Sequence, residues 1–517
     1  SCLGVPAERP ETTVDASKLY SESSVSESIG SWDVVNPHLE TYIQILASMQ
    51  PTRPDIVRGI PVCQALQRTP RLWARGDLDA LHVYSQATLE LDEFWSHSWR
   101  TPGWLKYISI LVLHNSFPAC VVGTLFAVAS FVLCVADILP TWSRGELQSG
   151  WSVLTGTVSY YLTLLLWRRG KLAFLDIACI NQVDDQLKTE GLISMGAILK
   201  RSKSLLVLWD SSYTSRLWCM FEMAAFLHSK GPGEDAHRHL VACPVFVGAA
   251  LLLGHLGLSM LLLAFELTQL PMIPWGSVII CCLFFPCFTV LAYVVLEHCR
   301  SIDVVQKQVC HFTIEQAFCH CCSSGHTDPF TGEPLICDRS ILIRCISSWF
   351  GSTEQFESLV RHHVMTILVH QLANNVFSYW RIVQATSPLF WLFLDLWLWA
   401  IALQKVRVDM MLSAASYWMM LTPSIVLISL RLAYKFRNLA TGMRQQLMLS
   451  VGLVSVGMLL FALLLTADRA IAALSWHLWA DYAPGAATVL ILSSILSVSL
   501  WRCLPLIDTH IIHPDVQ

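Results

Sequence analysis

The sequence predicts a polytopic α-helical membrane protein, with about eight spans, that carries a water-exposed α/β unit on a parallel sheet. Three observations predict it. Of 517 residues, 54% are hydrophobic and only 14% charged, and the mean hydropathy is +0.51, too apolar for a soluble chain of this size. Apolar runs recur that approach the roughly 20 residues a helix needs to cross a bilayer. Among them lies a polar stretch, Lys171 to Lys230, in which short buried strands alternate with helices. With 34 Lys+Arg against 38 Asp+Glu there is no basic excess, so the bilayer, not nucleic acid, is the expected partner.

The polar stretch opens with Leu172-Ala173-Phe174-Leu175-Asp176, an apolar run ending in a carboxylate, as in a buried parallel strand with an acid at its carboxyl end. A polar turn, Cys179 to Asp185, follows. Apolar residues then recur at helical spacing from Leu187 to Lys203 (Leu192, Met195, Ile198, Leu199). Ser204 to Trp209 reads as a second buried strand, and Arg216 to Phe226 as a further helix. The block is a βαβα unit.

Phe174-Leu175-Asp176, the strand ending at Trp209, and Ser-Tyr-x-Ser-x-x-Trp-Cys-x-x-Glu from Ser212 to Glu222 resemble the Toll/interleukin receptor (TIR) domain. Cys179-Ile180-Asn181-Gln182 and Arg216-x-Trp218-x-x-x-Glu222 resemble the related heterokaryon-incompatibility domain. Upstream, Asp92-Glu93-Phe94-Trp95-Ser96-His97 is similar to a first TIR strand. The resemblance implies a flavodoxin-like parallel sheet and covers somewhat over a quarter of the chain.

In chain order, residues 1–35 are Ser-, Thr- and Glu-rich and are expected to be disordered. Residues 36–90 read as a soluble lead-in without evident chemistry. The first strand and helix of the TIR-like unit occupy 91–116, with the helix at about Trp104 to Asn115. A transmembrane hairpin is then spliced in at 117–167, with spans at Phe117 to Leu139 and Trp151 to Trp167, before the unit resumes at 168–246. A transmembrane pair follows at 247–298, its second span at Gly276 to Leu296, and no room is left for a fifth strand. Residues 299–386 form a polar segment with Cys and His clusters. Here Ser352-Thr353-Glu354-Gln355 resembles a capping box, opening an amphipathic helix (Phe356, Leu359, Val360, Val364, Ile367) that lies on the membrane or packs on the TIR-like unit. Four more spans at 387–503 precede a tail at 504–517. Arg168, Arg169 and Lys171, and the loop with Arg431, Lys435, Arg437 and Arg444, place both termini and the TIR-like unit on the cytosolic side. Which membrane holds the chain stays open. The first residue is Ser rather than Met, so a preceding segment, a signal sequence included, stays open too. The 18 cysteines avoid the expected outer loops, and no Asn-x-Ser/Thr sequon occurs, which speaks for a reducing compartment.

Several residues carry candidate chemistry. In TIR domains that cleave NAD, the glutamate at the position of Glu222 faces the ribose and stabilises the oxocarbenium-like state as nicotinamide leaves. The resemblance therefore implies Glu222 as the catalytic carboxylate of an NAD+ nucleosidase, with NAD as substrate. Many TIR domains act only as adaptors, in which case Trp218, Cys219 and Glu222 serve packing, and other TIR-like domains or further copies are the partners. Asp176, with Asn181, Gln182 and Asp185 beside it, would sit at the face where open parallel sheets bind ligands. Ser96 and His97 would reach the same edge, and Trp218 completes this cofactor-binding set. The alternative is that Asp176 caps a loop, Asn181, Gln182 and Asp185 are solvated, His97 is a hydrogen-bonded structural residue and Trp218 belongs to the core.

Cys319, Cys321, Cys322, His326 and Cys337 could complete a tetrahedral zinc site. Their spacing matches no standard finger, and S-palmitoylation or free reduced thiols are the alternatives. Asp395 falls inside a span, where a carboxylate is costly unless paired. It marks an ion or proton path, with His255 or a Thr422-Pro423 kink as neighbours, or a hydrogen-bonded helix contact. Three functions stay open: signalling by TIR-type assembly, NAD cleavage, and a channel or transporter with a TIR-like regulatory unit.

Overall fold

The computed structural model describes residues 37–140, 150–231, 239–268, 282, 284–327, 337–402, 408–440 and 442–503. The expected disordered segment at 1–35, the tail at 504–517 and the first third of the expected span at Gly276 to Leu296 lie outside the described residues.

A six-stranded sheet organises the water-exposed part. Its strands are β1 (Arg58–Pro61), β2 (Gln86–Ala87), β3 (Leu91–His97), β4 (Leu172–Phe174), β5 (Ser202–Trp209) and β6 (Leu240–Pro244), in the order β2-β1-β4-β3-β5-β6. The pairs β3/β4, β3/β5 and β5/β6 are parallel. Numbered by appearance, these four parallel strands stand 2-1-3-4, the order in which doubly wound sheets place a crevice beside the first strand. β3 is nearly continuously buried, as a central parallel strand must be when both faces are covered, and Phe94 stacks on Phe174 at 4.6 Å.

The sheet is mixed rather than purely parallel, because residues 36–90 supply two of its strands. β1 runs antiparallel to both β2 and β4. The expected strand through Asp176 stops at Phe174, and Asp176 opens a single helical turn to Cys179. The helix expected from Leu187 is two, Asp185–Ile193 and Met195–Arg201, broken at the buried Ser194. The Ser194 hydroxyl accepts from Thr52 N–H at 3.2 Å, which ties the break to the lead-in.

No fifth parallel strand is present among the described residues, yet the β6 edge is not bare. Gln371 lies along it, its Oε1 accepting from Ala242 N–H (2.6 Å) and its Nε2 donating to Leu240 C=O (2.7 Å). One side-chain amide thus reproduces the donor-acceptor pair of a neighbouring strand, which blunts an edge otherwise open to non-native pairing. Gln371 belongs to the helical run that Ser352 opens, its Oγ accepting from Gln355 N–H at 3.3 Å. Phe356, Val360, Val364 and Ile367 in that run are buried against protein.

Among the described residues, five helices are long and apolar enough to cross a membrane: Gly103–Val135, Val247–Glu266, Val408–Phe436, Met443–Trp479 and Ala483–Cys503. The first joins the expected soluble helix and the expected span into one rod of 33 residues. Pro118 inside it lacks an N–H and orphans the carbonyl of His114. Arg169 supplies the missing donor at 3.3 Å, and the helix continues.

The Trp151–Leu166 helix, 16 residues long, is capped at both ends by other segments. Asp395, from the Pro388–Ala402 helix, accepts from the N–H groups of Ser152 and Val153, both at 3.1 Å. Asn115 and Gln67 donate to the carbonyls of Leu164 and Leu166. Gly156 lies where an added Cβ would meet the Trp391 ring at 2.6 Å, so the helices cross at minimal separation. Between Val408 and Phe436 the turn Ser416–Leu421 widens ahead of Pro423, the local adjustment a helix-interior proline requires.

Candidate functional site

The carboxyl ends of the parallel strands converge on a narrow crevice between β3 and its neighbours. β3 delivers Ser96 and His97. The turn after β4 delivers Asp176, and the Leu217–Lys230 helix delivers Trp218, Cys219 and Glu222. His97, Asp176, Trp218, Cys219 and Glu222 line one cavity of about 30 Å³ together with Trp99 and Arg216. That is room for one or two water molecules.

Glu222 sits at the centre. The Ser96 hydroxyl donates to its Oε2 at 2.5 Å, and Ser96 also bonds the Tyr213 hydroxyl at 2.7 Å. Glu222 retains a partly exposed face toward the crevice, but protein crowds the carboxyl. Burial, reinforced by the nearby Asp176 charge and opposed by the Ser96 bond and by Arg216, pushes its pKa up to about 8. The group is therefore a neutral acid at neutral pH. His97 is also pulled down by burial, with Asp176 acting against that shift, and its Nε2 stands 4.0 Å from Asp176 Oδ1. Cys219 donates weakly to the His97 carbonyl at 3.5 Å, and burial holds its thiol protonated. Trp218 donates from Nε1 to Asp338 Oδ2 at 3.2 Å.

Of the residues expected at this edge, Ser96, His97, Asp176, Trp218 and Glu222 come together. Asn181, Gln182 and Asp185 do not. Asn181 Oδ1 accepts from Val183 and Asp184 N–H, Gln182 donates to Ile180 C=O, and Asp185 opens a helix, so all three serve their own loop. Asp176 accepts from Ile177 N–H at 2.8 Å, capping its own turn, and also lines the crevice. Sequence reasoning missed Lys106, whose ammonium lies over the ring of the crevice residue Trp99 at 6.0 Å. A lone lysine in an apolar helix gives no motif. Arg216 and Tyr213 were quoted in the motif but not assigned to the site.

The other candidate groups lie elsewhere. Cys321, Cys322, Cys337 and His326 cluster with ligand atoms within 4.8 Å of one another, and Cys319 joins Cys321 and Asp338 in a second group. Asp395 is spent on the helix cap described above. His255 instead stacks on Tyr160 at 3.8 Å and bonds the Tyr161 hydroxyl at 3.1 Å. A larger cavity of about 180 Å³, lined by Cys299, Phe377, Leu427 and Trp501 among others, is mainly apolar.

A neutral acid beside a hydroxyl, with Arg216 at the rim, can donate a proton, or can ionise to meet a developing positive charge. A nucleotide would need a pocket roughly ten times larger. No family model, curated protein or solved structure matches the chain.

Proposed function

We propose that the chain is a multi-pass membrane signalling protein whose cytosolic TIR-like domain, flavodoxin-like in its strand order, works by assembly under the control of the membrane helices. The observation that carries this reading is the absence of a linker between sheet and bundle. After β3, six residues on, begins the Gly103–Val135 helix, and after β6 the Val247–Thr268 helix begins three residues on. These are the sheet's return helices prolonged to membrane length. They are locked together where Ser109 Oγ donates to Val245 C=O at 2.6 Å and Gly248 meets the Ser109 backbone. Movement in the bundle is thereby movement of β3 and β6.

One feature supports the sidedness. The basic residues expected in one loop are partly helical, with Arg431 and Lys435 in the Thr422–Phe436 helix and Arg444 in the Met443–Trp479 helix. Arg437, just after the first of these, pairs with Asp303 of the Phe285–Cys310 helix at 2.7 Å, which gathers positive charge at one end of the bundle, as the positive-inside rule asks of an inner face. Eight helices cross the membrane in this reading, the three beyond the five long ones being Trp151–Leu166, Pro388–Ala402 and the apolar half of Phe285–Cys310. The partner is a second copy of the domain. It docks at the β2 edge, where Gln86 and Ala87 are exposed and flanked by Val83 and Leu89, 81% and 76% exposed.

A second reading, NAD cleavage by Glu222, is favoured by the convergence of Glu222, Asp176, His97 and Arg216 at the strand ends. It requires the crevice to open. The channel reading loses its main support once Asp395 serves as a helix cap.

The deciding experiment measures NAD consumption and self-association of the full-length protein in lipid, for the native chain, Glu222→Ala and Leu89→Asp. Assembly without NAD loss, kept by Glu222→Ala and weakened by Leu89→Asp, supports the proposal. NAD loss abolished by Glu222→Ala replaces it with catalysis, and a chain that neither assembles nor consumes NAD when clustered overturns both.

A further inference from the structure

The cysteine-rich segment that follows the Phe285–Cys310 helix is fastened to the rim of the crevice. Phe318 exchanges backbone bonds with Ser215 and Leu217 on the approach to Trp218, and the guanidinium groups of Arg100 and Arg216 lie over its ring at 5.1 and 5.7 Å. At the segment's other end Asp338 accepts from Trp218. Between these two fastenings lie Cys321, Cys322, His326 and Cys337, whose ligand atoms gather within 4.8 Å of one another.

Their geometry is that of one tetrahedral ion. The sulfur of Cys322 stands 3.9 Å from that of Cys321 and 3.8 Å from that of Cys337, and His326 brings a ring nitrogen into the same 4.8 Å sphere. Sulfurs bound to one zinc at about 2.3 Å each, in tetrahedral directions, stand about 3.8 Å apart. The backbone is bent to this end. Gly325 and His326 take successive left-handed conformations (φ +67° and +58°), and His326 N–H bonds back to Cys321 C=O at 2.9 Å. Positive φ is uncommon outside glycine, and histidine is one of the few residues that tolerate it; here the reversal brings the imidazole back to the two cysteines.

The second cluster is a poorer set. Cys319 sulfur lies 3.1 Å from Cys321 sulfur, closer than two ligands of one ion would stand, and suits a thiol donating to a bound thiolate. Asp338 is engaged by Trp218. Three thiolates and one imidazole favour zinc over hard cations, which take oxygen.

We propose that Cys321, Cys322, Cys337 and His326 hold one Zn2+ as a closed structural site, and that the ion joins residues 318–327 to residues 337–338 beside Trp218 and so keeps the crevice narrow. Cys319 supports the site from outside it. The inference stands whether the domain assembles or cleaves NAD.

The test uses full-length protein purified in lipid under reducing, chelator-free conditions, with metals measured by mass spectrometry and by cobalt substitution. Amide exchange over 212–222 is followed before and after a zinc chelator. The expected result is one zinc per chain, a tetrahedral thiolate cobalt spectrum, loss of zinc in Cys337→Ser and His326→Ala but not in Cys63→Ser, and faster exchange over 212–222 once zinc is removed. Zinc-free native protein, iron in place of zinc, or zinc retained by both ligand variants overturns the site. Unchanged exchange after zinc removal overturns its hold on the crevice. Native metal content and the cobalt spectrum do not depend on any variant folding.

Discussion

Replacing Glu222 by Gln tests whether the centre of the crevice is a neutral acid. The native carboxyl has its pKa pushed up to about 8 from 4.5. Below the lower value both folded and unfolded chains hold the proton, and the folded state has its full stability. Between the two values the unfolded chain gives up the proton and the folded one keeps it, so stability falls as pH rises, by about 1.4 kcal/mol per pH unit. Above about 8 the loss is complete, at most about 5 kcal/mol in total, and less to the extent that water entering the crevice solvates the ion. Glutamine matches the protonated acid in shape and cannot titrate, although Ser96 must then donate to an amide oxygen. The melting temperature of Glu222→Gln should therefore match the native protein near pH 5 and exceed it increasingly toward pH 8, measured in the same lipid. Parallel pH profiles for the two proteins would refute the reasoning and mean that Glu222 is ionised, with Arg216 closing onto it.

Three further outcomes are expected. Gln371→Ala leaves Ala242 N–H and Leu240 C=O without their partners and should cost about 2–4 kcal/mol, with greater aggregation; an unchanged melting temperature would show that water caps the β6 edge as well. Asp395→Ala uncovers two helix N–H groups where no water replaces them and should cost a similar 2–4 kcal/mol. Ion flux in vesicles should stay at background in both proteins, whereas a flux lost at unchanged stability would make Asp395 part of a path. Gly248→Ala puts a methyl 2.5 Å from Ser109 Cα. Backbone cannot yield as a side chain does, so the variant should lose about 1–3 kcal/mol and, in a cross-linking assay, the fixed spacing of the two return helices.

The strands of the parallel core were legible because each is a short apolar run with a polar stop, and register follows once β3 is central. The crevice was half legible. Ser96, His97, Asp176, Trp218 and Glu222 end strands or open a helix, positions that topology brings together whatever the loops do. Asn181, Gln182 and Asp185 stood near Asp176 in sequence only, and sequence adjacency says nothing about which way a turn faces. The lead-in hid its strands because β1 holds four residues and β2 two, too few for a period-2 pattern to rise above noise. Gln371 carried no signal at all, since the bond that matters joins residues about 130 positions apart.

The two ends of β3 are built on opposite electrostatic plans, and this fixes which end can move. Burial alone would raise the pKa of Glu93. The His114 ring nitrogen 3.1 Å away, with bonds from Lys171 (2.7 Å) and Trp95 (3.0 Å), outweighs it and brings the group down to about 2. A buried carboxylate with this many partners is costly to disturb, because removing any one leaves charge unpaired in low dielectric. His114 lies on the Gly103–Val135 helix and Lys171 just before β4, so this network rivets the sheet to the helices where they leave it for the bundle. At the crevice end, Glu222 is held mainly by a hydroxyl and is neutral, so no charge pair has to break when Leu217–Lys230 shifts against β3. Under the proposed control by the membrane helices, a displacement of the bundle would pass through the riveted end and be expressed where separation is cheap, between Ser96 and Glu222.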